Sequence, residues 1–305
     1  MVNTAIGNTI LTGLLRTVSL AATMLIGAGT ALAAGPNAPA AALHAHYAAL
    51  GERLHNNPFR RALTLDSSES DNEVKGDIHA RIDYPFSTVQ AALNDPAHWC
   101  DVLILHINTK HCRATADADG TMLAVSIGKK TPQPIKDAYP IEFSYRVVAA
   151  TSNYLELRLH APQGPLSTHD YHIQLQAVPV ENGRTFLRLT YSYDYGTAGR
   201  IAMKTYLATL GSGKVGFTRT NRQPGGAPEH IGGMRGAIER NAMRYYLAID
   251  AYLATYGTPS AQQLHQRLHT WFSATEQYPR QLRELDRTAY IDMKRSEYQR
   301  QQAVQ

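Results

Sequence analysis

The sequence predicts an α+β protein: a curved antiparallel sheet wrapped around a long C-terminal helix, with extra helices at both ends. Three observations predict it. Four segments between residues 141 and 195 alternate apolar with polar side chains, the period of a half-buried strand. A strand of the same kind, Asp77 to Asp83, runs straight into a Pro-led helix. Residues 234 to 256 carry the strongest helical period in the chain.

The elements follow in order. GPNAPA (35 to 40) reads as a linker, and Ala41 to His55 as a helix with Leu43, Tyr47, Leu50 and Leu54 on one face, ended by Asn56-Asn57-Pro58. Ala62 to Leu65 is a short strand, followed by the polar turn SSESDNE. In the strand 77 to 83, Ile78, Ala80 and Ile82 oppose His79, Arg81 and Asp83. Tyr84-Pro85-Phe86-Ser87 opens a helix, because proline suits a first turn and Ser87 offers a cap. Val89, Ala92 and Leu93 face inward, and Asp95-Pro96 stops it.

Met122 to Ile127 is a strand, and 128 to 134 a polar loop. Then come alternating runs through Ile141 to Val147, Leu155 to Leu159, Tyr171 to Ala177 and Leu187 to Tyr195. One greasy and one wet face per strand predicts a sheet packed on one side only. Ala198 to Leu210 reads as a short helix, and 221 to 233 as breaker-rich. In the long helix Met234, Ile238, Ala242, Tyr245, Ile249 and Tyr252 recur at helical spacing, with Gly257 as the terminating glycine. Thr258-Pro259 starts another helix bearing Leu264, Leu268 and Trp271. Leu282, Leu285, Ala289 and Met293 mark a last one, and the final dozen residues are polar and expected to fray.

Residues 1 to 33 carry a single charge, Arg16, and an apolar run ending Ala31-Leu32-Ala33. That is a secretory signal pattern with cleavage near Ala33 or Ala34, and it predicts a periplasmic or secreted protein. The alternative is an uncleaved anchor. In an oxidising compartment the only two cysteines, Cys100 and Cys112, are expected to pair. Their segment, HWCDVLILHINTKHC, also offers His98 and His111, but the H-x-C…H-C spacing matches no usual zinc pattern. Disulfide-linked Cα atoms lie about 4.4–6.8 Å apart. A straight strand over the same stretch would separate them by about 40 Å. The chain must therefore double back between them, near Asn108-Thr109.

Thirty basic against 25 acidic residues give net charge +5, and loss of Arg16 with the signal leaves +4. The excess is unclustered, so no nucleic-acid partner is expected. Transient contact with a membrane surface stays open. No phosphate loop, dinucleotide fingerprint, nucleophile elbow or zinc-protease helix is present, so neither cofactor, metal nor catalytic residue is assigned.

Two stretches, GDIHARIDYPFSTVQAALNDPAHWC (76 to 100) and GGMRGAIERNAMRYYLAIDAYLATY (232 to 256), together with the order of elements between them, resemble the helix-grip fold of the START-like (SRPBCC, Bet v 1-related) superfamily. The resemblance runs from about residue 73 to 257. It divides the chain into a signal (1–33), a linker and N-terminal helix (34–58), a START-like domain (59–257) and a helical extension (258–305). It implies a hydrophobic ligand, such as a lipid or sterol, held between sheet and helix. Some members of the superfamily are enzymes.

The candidate lining is Phe143, Tyr145, Tyr171, Tyr191 and Tyr193 from the sheet, and Met234, Arg235, Ile238, Glu239 and Ala242 from the helix. Tyr195 belongs to the same row. A row of tyrosines suits a hollow with polar atoms, since each buried hydroxyl needs a partner, but tyrosine also simply favours strands. Arg235 and Glu239 are spaced for an ion pair, at a cavity mouth or on a solvated surface. Gly232, Gly233 and Gly236 leave the first helical turn open to close approach. His169, Asp170 and His172 are dense, but strand parity splits them across two faces. Two other readings remain: an enzyme of the same fold acting on a lipid-like substrate, and an envelope interaction protein using a stripe of Leu264, Leu268 and Trp271.

Overall fold

The computed structural model describes residues 38–118, 120–209, 211–220 and 229–303. The signal segment 1–33 and residues 221–228 of the breaker-rich segment lie outside the described residues. Helix α1 (Ala38–Leu50) leads into β1 (Leu63–Glu69) and β2 (Glu73–Ile82), then two short helices, α2 (Phe86–Leu93) and α3 (Pro96–Leu103). Six strands follow: β3 (Thr109–Asp117), β4 (Gly120–Ile127), β5 (Tyr139–Ala150), β6 (Leu155–Gln163), β7 (Thr168–Val180) and β8 (Arg184–Tyr195). Helices α4 (Thr197–Ala208), α5 (Gly233–Leu253), α6 (Ser260–Thr275), α7 (Pro279–Leu282) and α8 (Arg287–Ala303) complete the described chain.

The strands form one antiparallel sheet in the order β1-β2-β8-β7-β6-β5-β4-β3. A strand, two short helices, a six-strand meander that returns to pair with that strand, and then a long helix constitute the helix-grip arrangement. The predicted α+β fold is therefore the observed one, with β1 added as an extra edge. The inward row Val74, Ile78, Ala80 and Ile82 of β2 is buried, as its alternation predicts. Gly76 interrupts that row for a reason of space. A Cβ there would lie 3.3 Å from Ala242 Cβ and 3.5 Å from Ile238 Cγ1, so the glycine lets α5 seat directly on the strand.

The structure corrects several local expectations. Pro85 precedes α2 and Ser87 lies inside it, so Ser87 is not the cap. Asp95-Pro96 ends α2 and also starts α3: Asp95 accepts a hydrogen bond from Ala97 N at 2.8 Å, and Pro96 fills the first helical position. α3 is the feature missing from the sequence reading of the stapled segment. It carries Cys100, the chain reverses through 104–108, and Cys112 returns on β3, joined to Cys100 with Cα atoms 5.1 Å apart. α5 ends at Leu253, short of Tyr256, and Gly257 takes a positive φ in the turn beyond.

The sheet is also not bare on its outer side. Leu43, Leu50 and Leu54 of the N-terminal segment pack there with Tyr154, Val178 and Phe186 in a second, smaller core. His79, on the outer side of β2, is buried in this layer, 4.2 Å from the His46 ring and stacked on Phe186 at 6.3 Å.

The C-terminal segment departs furthest from expectation. Leu268 and Trp271 are buried, so the stripe offered for a partner is used internally. Trp271 donates to Arg244 O of α5 and stacks on Tyr290 of α8 at 4.8 Å. The polar tail expected to fray continues as helix to Ala303, because its polar groups have buried partners. Glu297 receives Lys110 at 2.9 Å and Lys294 at 2.8 Å, and Lys294 also donates to Thr109 O at 2.6 Å. Gln301 Oε1 accepts from Cys112 N at 2.9 Å. α8 thus satisfies backbone groups of β3, the far edge of the sheet.

Three predictions follow from this packing. Glu297→Ala strands two buried ammonium groups, and chemical denaturation should show a loss of about 3–5 kcal/mol. Replacing both cysteines by alanine should cost about 3 kcal/mol by the same measurement, the entropy of a loop this short. Burial lowers the His79 pKa from 6.5 to about 4, helped by the neighbouring His46 and Arg188. As pH falls the unfolded chain therefore protonates first, and stability drains away from about pH 6.5 down through pH 4, by up to about 3 kcal/mol. His79→Phe, which keeps the stack, should flatten that part of the stability–pH curve; an unchanged slope would show that His79 is not its source.

Candidate functional site

The tyrosine row predicted from strand alternation lies on the inner face. Tyr191 and Tyr193 of β8 and Tyr171 of β7 form one cluster, with Tyr171 stacked on Tyr193 at 5.0 Å and Tyr191 6.3 Å from Tyr171. From α5, Tyr245 meets Tyr191 edge-on at 5.2 Å, and its other side stacks on His106 at 4.7 Å. These four tyrosines keep 3–9% of their surface accessible, whereas neighbouring Leu175, Leu187 and Leu189 keep none. Phe143 and Tyr145 of β5 are buried on the same face.

Hydroxyl partners divide the row in two. Tyr145 donates to Leu93 O at 3.1 Å, Tyr171 shares a 2.6 Å hydrogen bond with Thr168 Oγ1, and Tyr195 donates to Ser70 O at 2.8 Å. Those hydroxyls are structural. Tyr191, Tyr193 and Tyr245 make no hydrogen bond to a described residue. Burial pushes the Tyr171 phenol up to about 12 and those of Tyr191, Tyr193 and Tyr245 higher still. They are neutral hydrogen-bonding groups near neutral pH, not phenolate bases.

The predicted helix residues play other parts. Ile238 and Ala242 press on β2 at Gly76, so at that level sheet and helix are in direct contact. Met234 is buried in the same core. Arg235 and Glu239 do not pair directly; Ser67 lies between them. Arg235 Nε donates to Ser67 Oγ at 3.1 Å, and Ser67 Oγ donates to Glu239 Oε1 at 2.6 Å. Glu239 is fully buried rather than solvated, and it also accepts from the backbone N–H groups of Phe217 and Thr218 and from Thr218 Oγ1. The lack of side-chain bulk in the glycine-rich first turn admits this loop: a Cβ on Gly236 would lie 2.8 Å from Ile231 O. The close approach anticipated there is made by the protein's own chain.

Sequence reasoning missed a second group of α5 residues. Arg240 and Arg244 are buried, Arg244 Nη2 donating to Glu284 Oε1 at 2.8 Å. Lys130 and Lys214 reach the same carboxylate at 2.6 and 3.3 Å. His106 is buried nearby; desolvation, and then Arg244, Lys294, Lys130 and Lys110, hold its pKa well below 6.5. The signal available was three charged residues, Glu239, Arg240 and Arg244, within two turns of a helix whose neighbouring positions are mostly apolar.

On the outer face Asp170 and His172 stand together, as strand parity has it, and a β-bulge shapes their setting. The β7–β8 register breaks between His169 and His172, and Asp170 takes φ +50°. Asp170 Oδ1 thereby meets His160 Nε2 at 2.8 Å and His172 Nε2 at 3.2 Å, and His169 is left out. This half-exposed trio supplies three atoms within 4.8 Å that could hold a metal ion. Two open surface hollows, of about 670 and 320 Å3, lie away from the tyrosines: one at Ser87, Gln90, Asn94 and Ala150, the other at Pro132, Leu285, Ala289 and Arg300.

No protein-family model and no curated protein matches the chain. Among solved structures it is similar to norcoclaurine synthase from Thalictrum flavum (11% identity, TM-score 0.33, 46% of this chain and 82% of that one). It is also similar to human STARD10 (11%, TM-score 0.32, 79% and 91%) and to the Zhui aromatase/cyclase from Streptomyces sp. R1128 (11%, TM-score 0.29, 68% and 95%). Identity and TM-score are both low, and the assignment of a START-like helix-grip fold rests on the strand order and connectivity described above.

The Glu239 knot makes a prediction. Glu239→Ala leaves the Phe217 and Thr218 N–H groups without an acceptor, and urea denaturation should register a loss of about 2–4 kcal/mol.

Proposed function

We propose that the protein is an exported START-like carrier that binds a hydrophobic small molecule, a lipid, sterol or similar, between the sheet and α5. The observation that carries this is the group Tyr171, Tyr191, Tyr193 and Tyr245: deep within the fold, not fully occluded, and with three hydroxyls that no described residue engages. Aromatic walls with a few convergent polar groups are what small-molecule sites use. The Cys100–Cys112 disulfide supports export, as does the signal pattern of residues 1–33.

Binding would draw on burial of ligand surface, about 25 cal/mol per Å2, so 300 Å2 of apolar ligand gives roughly 7 kcal/mol before ordering costs. Phe143, Tyr145, Met234, Ile238 and Ala242 would complete the apolar wall, and Arg235 and Glu239 would secure the loop beside it.

The test is native mass spectrometry of protein recovered from the periplasm after expression with its own signal. A stoichiometric apolar ligand is expected, with occupancy reduced several-fold in Tyr191→Ala and in Met234→Trp. Protein that carries no ligand and binds no fluorescent lipid probe would end this reading.

A further inference from the structure

We propose that the site between the sheet and α5 selects an amphiphile with an oxyanion head group, carboxylate or phosphate, and that Arg240 receives that head group while the apolar tail lies along the tyrosine face. This rests on the carrier reading and names its ligand class.

Charge balance inside the fold carries the inference. Arg240 keeps only 5% of its surface accessible, and its Nη1 has no hydrogen-bond partner among the described residues. The two carboxylates that could serve it are committed elsewhere. Glu239 is engaged by Ser67, Phe217 and Thr218. Glu284 is shared by Arg244, Lys130 and Lys214. Arg240 is thus a fourth cation beside two carboxylates, Glu284 and Glu239, a local excess of two positive charges, and neither carboxylate hydrogen-bonds to it.

Burying a charge without a counter-ion costs several kcal/mol. Desolvation and Arg244 lower the Arg240 pKa to about 10, which leaves the guanidinium charged at neutral pH. Its flat fork of donors matches carboxylate and phosphate oxygens two at a time.

Position agrees with charge. The guanidinium folds back along α5, where a Cβ on Gly236 would lie 3.4 Å from Nη1, so it sits beside the loop that carries Gly216 and Ile231. Its field reaches Tyr193, whose hydroxyl is one of the three without a protein partner. His106 Nε2, also buried and unpartnered, stacks with its ring on Tyr245 at the other end of the cluster. An oxyanion would therefore meet a charged fork and neutral hydroxyl donors, and a neutral or cationic head group would leave Arg240 unmatched.

The test compares matched ligand pairs on the full chain by fluorescent-probe displacement. Oleate is set against methyl oleate, and lysophosphatidic acid against monooleoylglycerol; the pair with the larger ratio tells carboxylate from phosphate. At least a tenfold preference for one anionic member is expected. Arg240→Met should reduce that ratio to near one, and Arg240→Lys should keep part of it. The ligand-free melting temperature of Arg240→Met should be unchanged or higher, because an unmatched buried charge has gone; a clear fall would mark Arg240 as structural and overturn the proposal. Equal binding of acid and ester by the wild type, or a preference that survives in Arg240→Met, overturns it while leaving the carrier reading intact. Binding of none of the four overturns it too, and the carrier reading falls with it only if the protein also carries no native ligand and binds no probe.

Discussion

The constraint on which the rest of the structure depends is that α5 is enclosed on every side. Seventeen of its 21 residues are buried, three of them charged. A helix laid across a sheet ordinarily keeps one wet face, which is where its polar residues go. Here α6, α3, α4 and α7 also pack against the helix, so Glu239, Arg240 and Arg244 have to find partners inside. Two do so. Glu239 ties down the loop ahead of the helix, and Arg244 brings Glu284 and two lysines with it. Arg240, which pairs with neither carboxylate, is the remainder, and the ligand chemistry proposed above starts from it.

The same enclosure governs the opposite edge of the sheet. β3 is an edge strand, open to pairing with any other chain. Covering it with a helix of polar residues works only if each polar group meets a backbone or charged partner. Lys294, Glu297 and Gln301 meet that condition through Thr109 O, Lys110 and Cys112 N. The disulfide holds the start of the strand to α3, so staple and cover act at one place from two sides.

Much of this was legible in the sequence, and the residues show why. The alternation in Leu187 to Tyr195 placed the tyrosines on the inner face because period two is a property of the pleat itself. The Pro-led α2 and the period of 234 to 256 placed the grip. What stayed hidden depended on neighbours distant in sequence. The tail after Met293 looks like a fraying end until Lys110 and Cys112 are beside it. Arg235 and Glu239 look like a surface pair until Ser67 comes between them. Asp170 joined His160 through a bulge that a strict alternation cannot anticipate. Of the site, the aromatic wall could be read from sequence; its electrostatics could not, because Arg240 is distinguished only by carboxylates that have other partners.

The pairing of Lys110 with Glu297 spans 187 residues. A ribosome makes the lysine long before its counter-ion, and an unfinished chain has nothing to neutralise that ammonium in the place where it must be sealed. The β3 edge therefore stays unsealed until Glu297 has been made, whereas the cysteine pair, 12 residues apart, can fasten the start of that edge before its cover arrives.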